Sequence, residues 1–278
     1  MLPNLIVIGA MKTGTSSLHS YLDCHPQISM SRPKELDFFV AEKNWPKGLD
    51  WYESHLPAID GVQILGESSP NYTKCHVFAG VPGRMHSLVP EAKLIYLLRD
   101  PIERIVSHYV HNYSTERESE SISRALKDLE NNHYVLCSKY YMQLEPYLAC
   151  FPRSNILIVT SGNLRNHRQQ TLQRIFRFLD VDDTFCSQDF AQVLHRSSDK
   201  RRTSRVGSLL LRVPGRQRIK SLLPFLTRFA GLYRSLSLLR VRRPMIDERL
   251  RQRLADALIE DVERLRAYTG RSFEQWSV

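Results

Sequence analysis

The residues best suited to chemistry lie in a turn near the start of the chain. Residues 9–17 read GAMKTGTSS; they follow the apolar run LIVI at 5–8 and precede a stretch with helical periodicity. A strand–turn–helix of this kind presents backbone N–H groups and the positive end of a helix dipole to an anion. An ordinary loop capped by Thr or Ser is the plainer alternative. The pattern predicts a phosphate-binding turn formed by Lys12, Thr13, Gly14, Thr15, Ser16 and Ser17.

The position of the lysine limits what this turn can bind. In the P-loop of nucleoside-triphosphate enzymes, the lysine follows the last glycine and a hydroxyl holds magnesium. Lys12 precedes Gly14 instead, and the later strand end at 98–101, LRDP, leads with a cation rather than with a metal-ligating acid. Asp100 is expected to cap a helix that begins at Pro101. A P-loop kinase is therefore the less favoured alternative, and no metal is predicted.

A second cationic point is predicted at Arg99, on the same rim as the turn. Ser107 lies eight residues further on, about two helical turns along, where its hydroxyl can share one anion with the arginine. Two separated cationic points suit a nucleotide that carries two separate phosphate groups.

These residues need a scaffold, and the sequence predicts an α/β one. Short apolar runs alternate with helical periodicity, which is typical of a parallel sheet covered by helices on both faces, with ligands at the carboxyl ends of the strands. The predicted strands are Asn4–Gly9, Gln63–Gly66, Lys93–Leu98 and Asn155–Val159. The predicted helices are Gly14–Cys24, Pro101–Tyr113, Ser121–Glu130, Ser138–Phe151, Arg168–Leu179 and Asp247–Tyr268. We expect one P-loop-like, three-layer domain over 1–278, with a basic, leucine-rich insertion at about 195–243.

Charge is concentrated in that insertion. The formal net charge is +10, and residues 195–243 hold 14 lysines and arginines against one acid. A basic segment with leucine clusters is compatible with peripheral contact between 205–243 and an anionic membrane surface, or with a solvated basic face. A polyanion- or membrane-binding protein with a vestigial nucleotide site is the third reading. No nucleic-acid partner is predicted. The chain begins in an apolar strand, which predicts a cytoplasmic protein, and its five scattered cysteines predict no metal or disulfide framework.

The motifs resemble those of one family. "GAMKTGTSSL" resembles the 5′-phosphosulfate loop of the sulfotransferases, and "LIYLLRDPIERIVSHY" resembles their 3′-phosphate motif. "KELDFFVAEKNWPKGLDWYESHLP", followed by "GESSPNYT", is similar in order and spacing to the heparan-sulfate-type N- and O-sulfotransferases. The resemblance implies 3′-phosphoadenosine-5′-phosphosulfate (PAPS) as the donor and adenosine 3′,5′-bisphosphate (PAP) as the product. Lys12 would then stabilise the charge that grows on the bridging oxygen as the sulfuryl group leaves.

The same resemblance assigns the acceptor side. It implies Glu35 as the general base toward a hydroxyl or amine of a carbohydrate or other small molecule, and His111 as a residue near the acceptor. An acid among apolar and aromatic neighbours is expected to lose solvation; a surface glutamate paired with Lys34 is the alternative. One departure is that Glu67 is followed by Ser68, where the heparan-sulfate enzymes have a lysine that faces the reaction centre. The late basic loop that closes over the 3′-phosphate is assigned to Lys200, Arg201 and Arg202.

Overall fold

The computed structural model describes residues 1–57, 60–191, 201–203 and 238–278. Its strands are β1 Leu5–Gly9, β2 Ile28–Met30, β3 Ile64–Ser68, β4 Lys93–Leu98, β5 Ile156–Thr160, β6 Arg201–Thr203 and β7 Leu238–Arg240. Its helices are α1 Thr15–Asp23, α2 Gly48–Glu53, α3 Val81–Leu88, α4 Pro101–Ser114, α5 Ile122–Ala125, α6 His133–Leu136, α7 Tyr140–Leu148, α8 Ser161–Asn166, α9 Arg168–Leu179 and α10 Glu248–Thr269. Short 3₁₀ turns lie at Trp45–Lys47, Pro70–Thr73, Arg153–Asn155 and Gln188–Ala191.

A parallel sheet forms the centre of the molecule. Strands β1 to β5 pair in the order β2-β3-β1-β4-β5, and every pairing is parallel. The carboxyl ends of β3, β1 and β4 therefore meet side by side at one edge, with β1 in the middle. That edge holds the predicted phosphate turn.

The alternation of side chains along the strands gives the fold three layers. On β1, Leu5 and Val7 pack on one face with α1 and α9, whereas Ile6 and Ile8 pack on the other face with α7. A third apolar cluster joins α4 to α10 through residues such as Ile105 and Leu254. The predicted central parallel sheet flanked by helices is confirmed.

The element predictions miss or shorten two short strands and are wrong for one predicted helix. Strand β2, with three residues, carries no usable period, and β3 runs two residues beyond its predicted end because Ile6 and Val7 pair with Glu67 and Ser68. The predicted helix Ser121–Glu130 is wrong, since only Ile122–Ala125 is helical. The side chain of Asn132 donates to the Ala125 carbonyl at 2.7 Å. This side-chain bond occupies a carbonyl that a continuing helix would use for its next backbone hydrogen bond.

Two further features frame the site. Helix α10 begins after Asp247, whose Oδ1 accepts from the Leu250 N–H at 2.7 Å, and ends at Gly270 in the left-handed conformation. Strands β6 and β7 pair antiparallel, so the two ends of the basic insertion return to one place. Among the described residues, we find no helix that combines the length and the apolar character needed to cross a bilayer.

Candidate active site

The phosphate turn is fixed to its neighbours by backbone contacts. At Gly9, a Cβ atom would lie 2.1 Å from Oγ1 of Thr73, so only glycine allows the 3₁₀ turn Pro70–Thr73 to approach β1 this closely. One residue later, the Ala10 N–H donates to the Leu97 carbonyl of β4 at 2.8 Å. The turn is therefore held between the ends of β3 and β4.

The turn itself has the shape of an anion cradle. Gly14 has a φ of 106° and precedes α1, so no side chain caps the first N–H groups of that helix. Lys12 also has a positive φ, 73°, and Thr13 donates from Oγ1 to the Ala10 carbonyl at 2.7 Å. The side chains of Thr13, Thr15 and Ser17 are buried, whereas Lys12 and Ser16 are half-buried at the rim. The structure thus brings the predicted turn residues together at the start of α1.

The predicted second cationic point lies at the next strand end. Arg99 directly follows β4 and donates from Nη2 to Oε2 of Glu103 at 2.9 Å, while its carbonyl accepts from the Tyr140 hydroxyl at 2.8 Å. Asp100 caps α4 as expected, because its Oδ1 accepts from the Glu103 N–H at 2.8 Å. Ser107 lies two turns along α4 and is buried. These contacts fix the arginine at the rim, with its side chain 18% exposed.

Sequence reasoning missed one residue on this rim. Arg243 lies between β7 and α10 and donates from Nη2 to Oε1 of Glu103 at 2.6 Å, so Glu103 joins two guanidinium groups. Partial burial acts to raise the pKa of Glu103, but the Arg243 hydrogen bond and the positive charges of Arg243 and Arg99 outweigh it. The pKa of Glu103 is therefore lowered. The signal in the sequence was the basic run ending at Arg243, but a charge run does not show which residue it contacts.

The predicted late basic loop, Lys200 to Arg202, lies partly outside the residues that the structure describes. Lys200 lies outside the described residues, and for Arg201 and Arg202 only the backbone of β6 is described. That strand packs against α4, the helix that carries Ser107. The assignment of these three residues to the 3′-phosphate stays a prediction.

The acceptor segment differs from expectation at Glu35. Its side chain is 52% exposed and its Oε1 accepts from Nζ of Lys34 at 2.8 Å, so the expected desolvation is wrong. Its apolar neighbours Leu36, Phe38 and Phe39 are fully buried and turn away from it. Phe38 stacks on Tyr52 with ring centroids 4.0 Å apart. The aromatic residues therefore anchor the segment and leave the carboxylate in an open position.

The position that departs from the family pattern also has a defined environment. Ser68 ends β3 and is buried, and its Oγ lies 2.9 Å from Nδ1 of His19 on α1. Burial, and then the nearby charge of Lys34, lowers the pKa of His19 to about 4. His19 is therefore neutral at physiological pH and does not replace the missing charge, whereas Lys34 is the cation that lies beside this position.

Glu67 is the second residue that sequence reasoning missed, since it was singled out only as the neighbour of Ser68. It has no exposed surface and accepts three hydroxyl hydrogen bonds, from Tyr52, Tyr72 and Ser69. Burial raises its pKa to about 7, although the three donors act in the opposite direction. The extension of β3 through this residue is what makes it internal.

His111 lies on α4, four residues from Ser107, and is half-buried. Three residues before it on α4 lies His108, which is buried and whose ring lies 5.4 Å from that of His133. Burial, followed by the charge of Arg104, lowers the pKa of His108. The role of His111 near the acceptor stays a prediction.

A cluster of His76, His133 and Cys137 has the residue types of a metal site. Nε2 of His76 lies 3.0 Å from Nδ1 of His133 and 3.8 Å from the cysteine sulfur. However, the side-chain oxygen of Gln143 accepts from the Cys75 N–H. The side-chain NH₂ group of Gln143 therefore faces Nδ1 of His76, at 3.1 Å, and donates to it. Neutral His76 therefore carries its proton on Nε2, the atom that would have to ligate. The cluster does not fit a metal ion in this arrangement.

Comparison with known proteins identifies the family. The model of the sulfotransferase domain matches residues 2–206. The chain is 31% identical to the bifunctional heparan sulfate N-deacetylase/N-sulfotransferase 2 of Homo sapiens over an alignment of 201 residues, which covers 65% of this chain and 22% of that protein. It is 32% identical over 213 residues to the Drosophila melanogaster bifunctional heparan sulfate N-deacetylase/N-sulfotransferase, covering 65% of this chain and 20% of that protein.

One solved structure shares the whole fold. The sulfotransferase from Alicyclobacillus acidocaldarius superimposes with a TM-score of 0.73 at 22% identity, and the match covers 100% of both chains. The chain belongs to the sulfotransferase domain family, whose members take a sulfuryl group from PAPS and release PAP. The predicted P-loop-like fold and the predicted membership of the sulfotransferase family are thereby confirmed.

Proposed function

We propose that this chain transfers the sulfuryl group of PAPS to an amine or hydroxyl of a carbohydrate or similar small molecule. The observation that carries the proposal is the order of strand ends at one sheet edge: the Glu35 segment beside β3, the phosphate turn after β1, and Arg99 after β4. A donor with its phosphosulfate in the turn and its 3′-phosphate at Arg99 directs the sulfur toward the Glu35 side.

The proposed reaction is one displacement at sulfur. A lone pair of the acceptor nitrogen or oxygen forms the new bond to sulfur while the bond to the bridging oxygen of PAPS breaks. Glu35 takes the acceptor proton, and Lys12 stabilises the negative charge that develops on the departing phosphate oxygen. The N–H groups that begin α1, with the hydroxyls of Thr15, Ser16 and Ser17, hold the 5′-phosphate, whereas the Thr13 hydroxyl donates to the Ala10 carbonyl and fixes the shape of the turn.

The proposed 3′-phosphate site unites Arg99 and Ser107 with Arg243. Glu103 pairs with both arginines, so each guanidinium is already oriented toward the same rim before an anion binds. The relatives are named as N-sulfotransferases, which makes an amine on an amino sugar the first acceptor to test. Ser68 weakens the case for a heparan-type acceptor, so hydroxyl acceptors belong in the same screen.

The test is transfer of labelled sulfate from PAPS to a panel of N-desulfated polysaccharides, free amino sugars and hydroxyl acceptors. We expect label in at least one acceptor and none with Lys12→Ala. Binding of PAP without transfer to any panel member would restrict the proposal to the donor site. Absence of both binding and transfer would contradict it.

The remaining partner predictions stay proposals of lower rank. Contact of 205–243 with an anionic membrane surface concerns residues that lie mostly outside those the structure describes. Flotation with anionic and neutral vesicles at low and high salt tests it, since surface charge attraction weakens as salt screens it. A cytoplasmic location likewise stays a prediction.

A further inference from the structure

A buried carboxylate lies beneath the acceptor segment. Glu67 lies on β3, next to Ile6 of β1 and in contact with Tyr52 and Tyr72, and it has no exposed surface. Its Oε1 accepts from the hydroxyls of Tyr52 at 2.6 Å and Tyr72 at 2.7 Å, and its Oε2 accepts from that of Ser69 at 2.9 Å. Because burying a carboxylate is costly unless it is fully hydrogen-bonded, this group is satisfied by a dedicated set of donors.

Two of these donors also receive hydrogen bonds from the acceptor segment. Oγ of Ser69 accepts from the Asp37 N–H at 3.0 Å, and the hydroxyl of Tyr72 accepts from the Phe39 N–H at 3.4 Å. Asp37 and Phe39 are the second and fourth residues after Glu35. The hydroxyl of Tyr52 has no such second bond among the described residues, although its ring stacks on Phe38.

The segment has no regular secondary structure of its own, so side-chain bonds fix its backbone: those to Ser69 and Tyr72, and those from Asn44 to the Leu36 carbonyl and from Arg84 to the Phe39 carbonyl. Residues 35–37 belong to neither helix nor strand, and Asp37 has a φ of 46°, in the left-handed region. A hydroxyl carries one hydrogen. When that hydrogen is committed to a carboxylate, the oxygen lone pairs are left for backbone N–H groups. Glu67 thus turns Ser69 and Tyr72 into acceptors aimed at Asp37 and Phe39.

We propose that Glu67 is a positioning residue for the acceptor side. It fixes Ser69 and Tyr72, and these fix the backbone that carries Glu35 relative to the phosphate turn. The proposal rests on the proposed function of Glu35 as the base. A small displacement of a reacting group is enough to lower the rate, because the geometry of attack is demanding.

The three hydroxyls provide matched variants. Ser69→Ala and Tyr72→Phe each remove one donor to Glu67 together with one bond to the segment. Tyr52→Phe removes an equally buried donor to the same oxygen as Tyr72 but leaves both segment bonds in place. Glu67→Gln keeps an acceptor oxygen for the tyrosines, whereas Glu67→Leu leaves all three hydroxyls without it.

The readouts are hydrogen exchange of the 37–39 amides, PAP affinity, and kcat against KM for PAPS. We expect Ser69→Ala and Tyr72→Phe to lose exchange protection at 37–39 and about 10- to 100-fold in kcat, with KM for PAPS and PAP affinity unchanged. Tyr52→Phe should show a smaller loss and full protection. Glu67→Gln should retain more kcat than Glu67→Leu.

Two results would overturn the proposal. One is equal loss of kcat in Tyr52→Phe and Tyr72→Phe, which would make the network a matter of stability alone. The other is unchanged protection of the 37–39 amides in Ser69→Ala and Tyr72→Phe. Failure of the proposed function looks different: the wild-type protein would transfer no sulfate, while the exchange data would still report on the contacts of Glu67.

Discussion

The proposed donor and acceptor sides of this site are built in different ways. On the donor side, the phosphate turn is one continuous stretch from β1 to α1, and its contacts are mostly within that stretch or with the adjacent strand end. On the acceptor side, the backbone of residues 35–39 is held by side chains from separate parts of the chain, at positions 44, 69, 72 and 84. A continuous turn suits the single donor that we propose, whereas a segment held by several distant side chains offers more positions that can differ with the acceptor.

The charged residues of the two sides also differ in kind and in number. The donor side combines Lys12 with Arg99 and Arg243, and Glu103 orients both arginines. The acceptor segment carries two ion pairs, Lys34 with Glu35 and Lys43 with Asp37, above a buried carboxylate. Substitutions on the two sides should therefore affect different steps: donor binding on one, proton removal and geometry on the other.

The sharpest contrast should come from Glu35. We expect Glu35→Gln, which is nearly isosteric, to lower turnover by about 10²- to 10⁴-fold, the usual contribution of general acid–base catalysis, and to leave PAP affinity unchanged. Turnover with labelled PAPS and PAP titration measure the two effects. Glu42→Gln, an exposed glutamate seven residues along, is the control. Near-normal turnover in Glu35→Gln would remove Glu35 as the base and make His111 the next residue to test.

On the donor side, Arg99→Ala should weaken PAP binding by about 1.5 to 3 kcal/mol, the size of a charge-assisted hydrogen bond. Binding of adenosine 5′-phosphosulfate, which lacks the 3′-phosphate, should scarcely change. Arg243→Ala should show the same selectivity with a smaller loss, because its side chain is 49% exposed and solvent screens it. Calorimetric titration measures both. Equal losses for the two ligands would mean that the arginine only supports the fold.

Donor binding should also stabilise the fold. At 100 times its dissociation constant, PAP should raise the free energy of unfolding by about 2.7 kcal/mol without magnesium, since the site exists only in the folded state. Denaturant unfolding with and without PAP measures this. If ATP with magnesium stabilised the protein as much, the kinase alternative would return and the reading of Lys12 before Gly14 would be wrong.

The continuous turn could be predicted from the sequence better than the segment that distant side chains hold. The positions in the fold of the turn at 9–17 and of Arg99 could be predicted because strand, turn and cap signals are local, whereas their roles stay predictions. The burial of Glu67 could not, because β3 reads as ending at Gly66 and only pairing with Ile6 and Val7 extends it. The exposure of Glu35 was mispredicted because apolar neighbours in sequence point into the core without covering the acid. Arg243 reaches Glu103 across 140 positions of sequence, a contact no local pattern encodes.

The smallest expected effect concerns the pH dependence of stability on the acceptor side. Burial raises the pKa of Glu67 to about 7, against an ordinary value of 4.5 in the unfolded chain. Between these values the folded state holds a proton that the unfolded state has released, so this group makes stability fall as pH rises. Tyr52 and Tyr72 donate to it, and Asp37 adds a like charge nearby.

His19 acts in the opposite direction at the same sheet edge. Burial, and then the charge of Lys34, lowers its pKa from 6.5 to about 4, so its contribution makes stability rise with pH in that window. The two groups therefore offset each other between pH 4.5 and 6.5. Glu67→Gln removes only the contribution of Glu67, which falls as pH rises. The slope of the unfolding free energy against pH should therefore be more positive in the variant than in wild type, by up to about 1.4 kcal/mol per pH unit. Urea unfolding across this range measures it, with Glu42→Gln as the control, and parallel curves for Glu67→Gln and wild type would mean that Glu67 is ionised throughout.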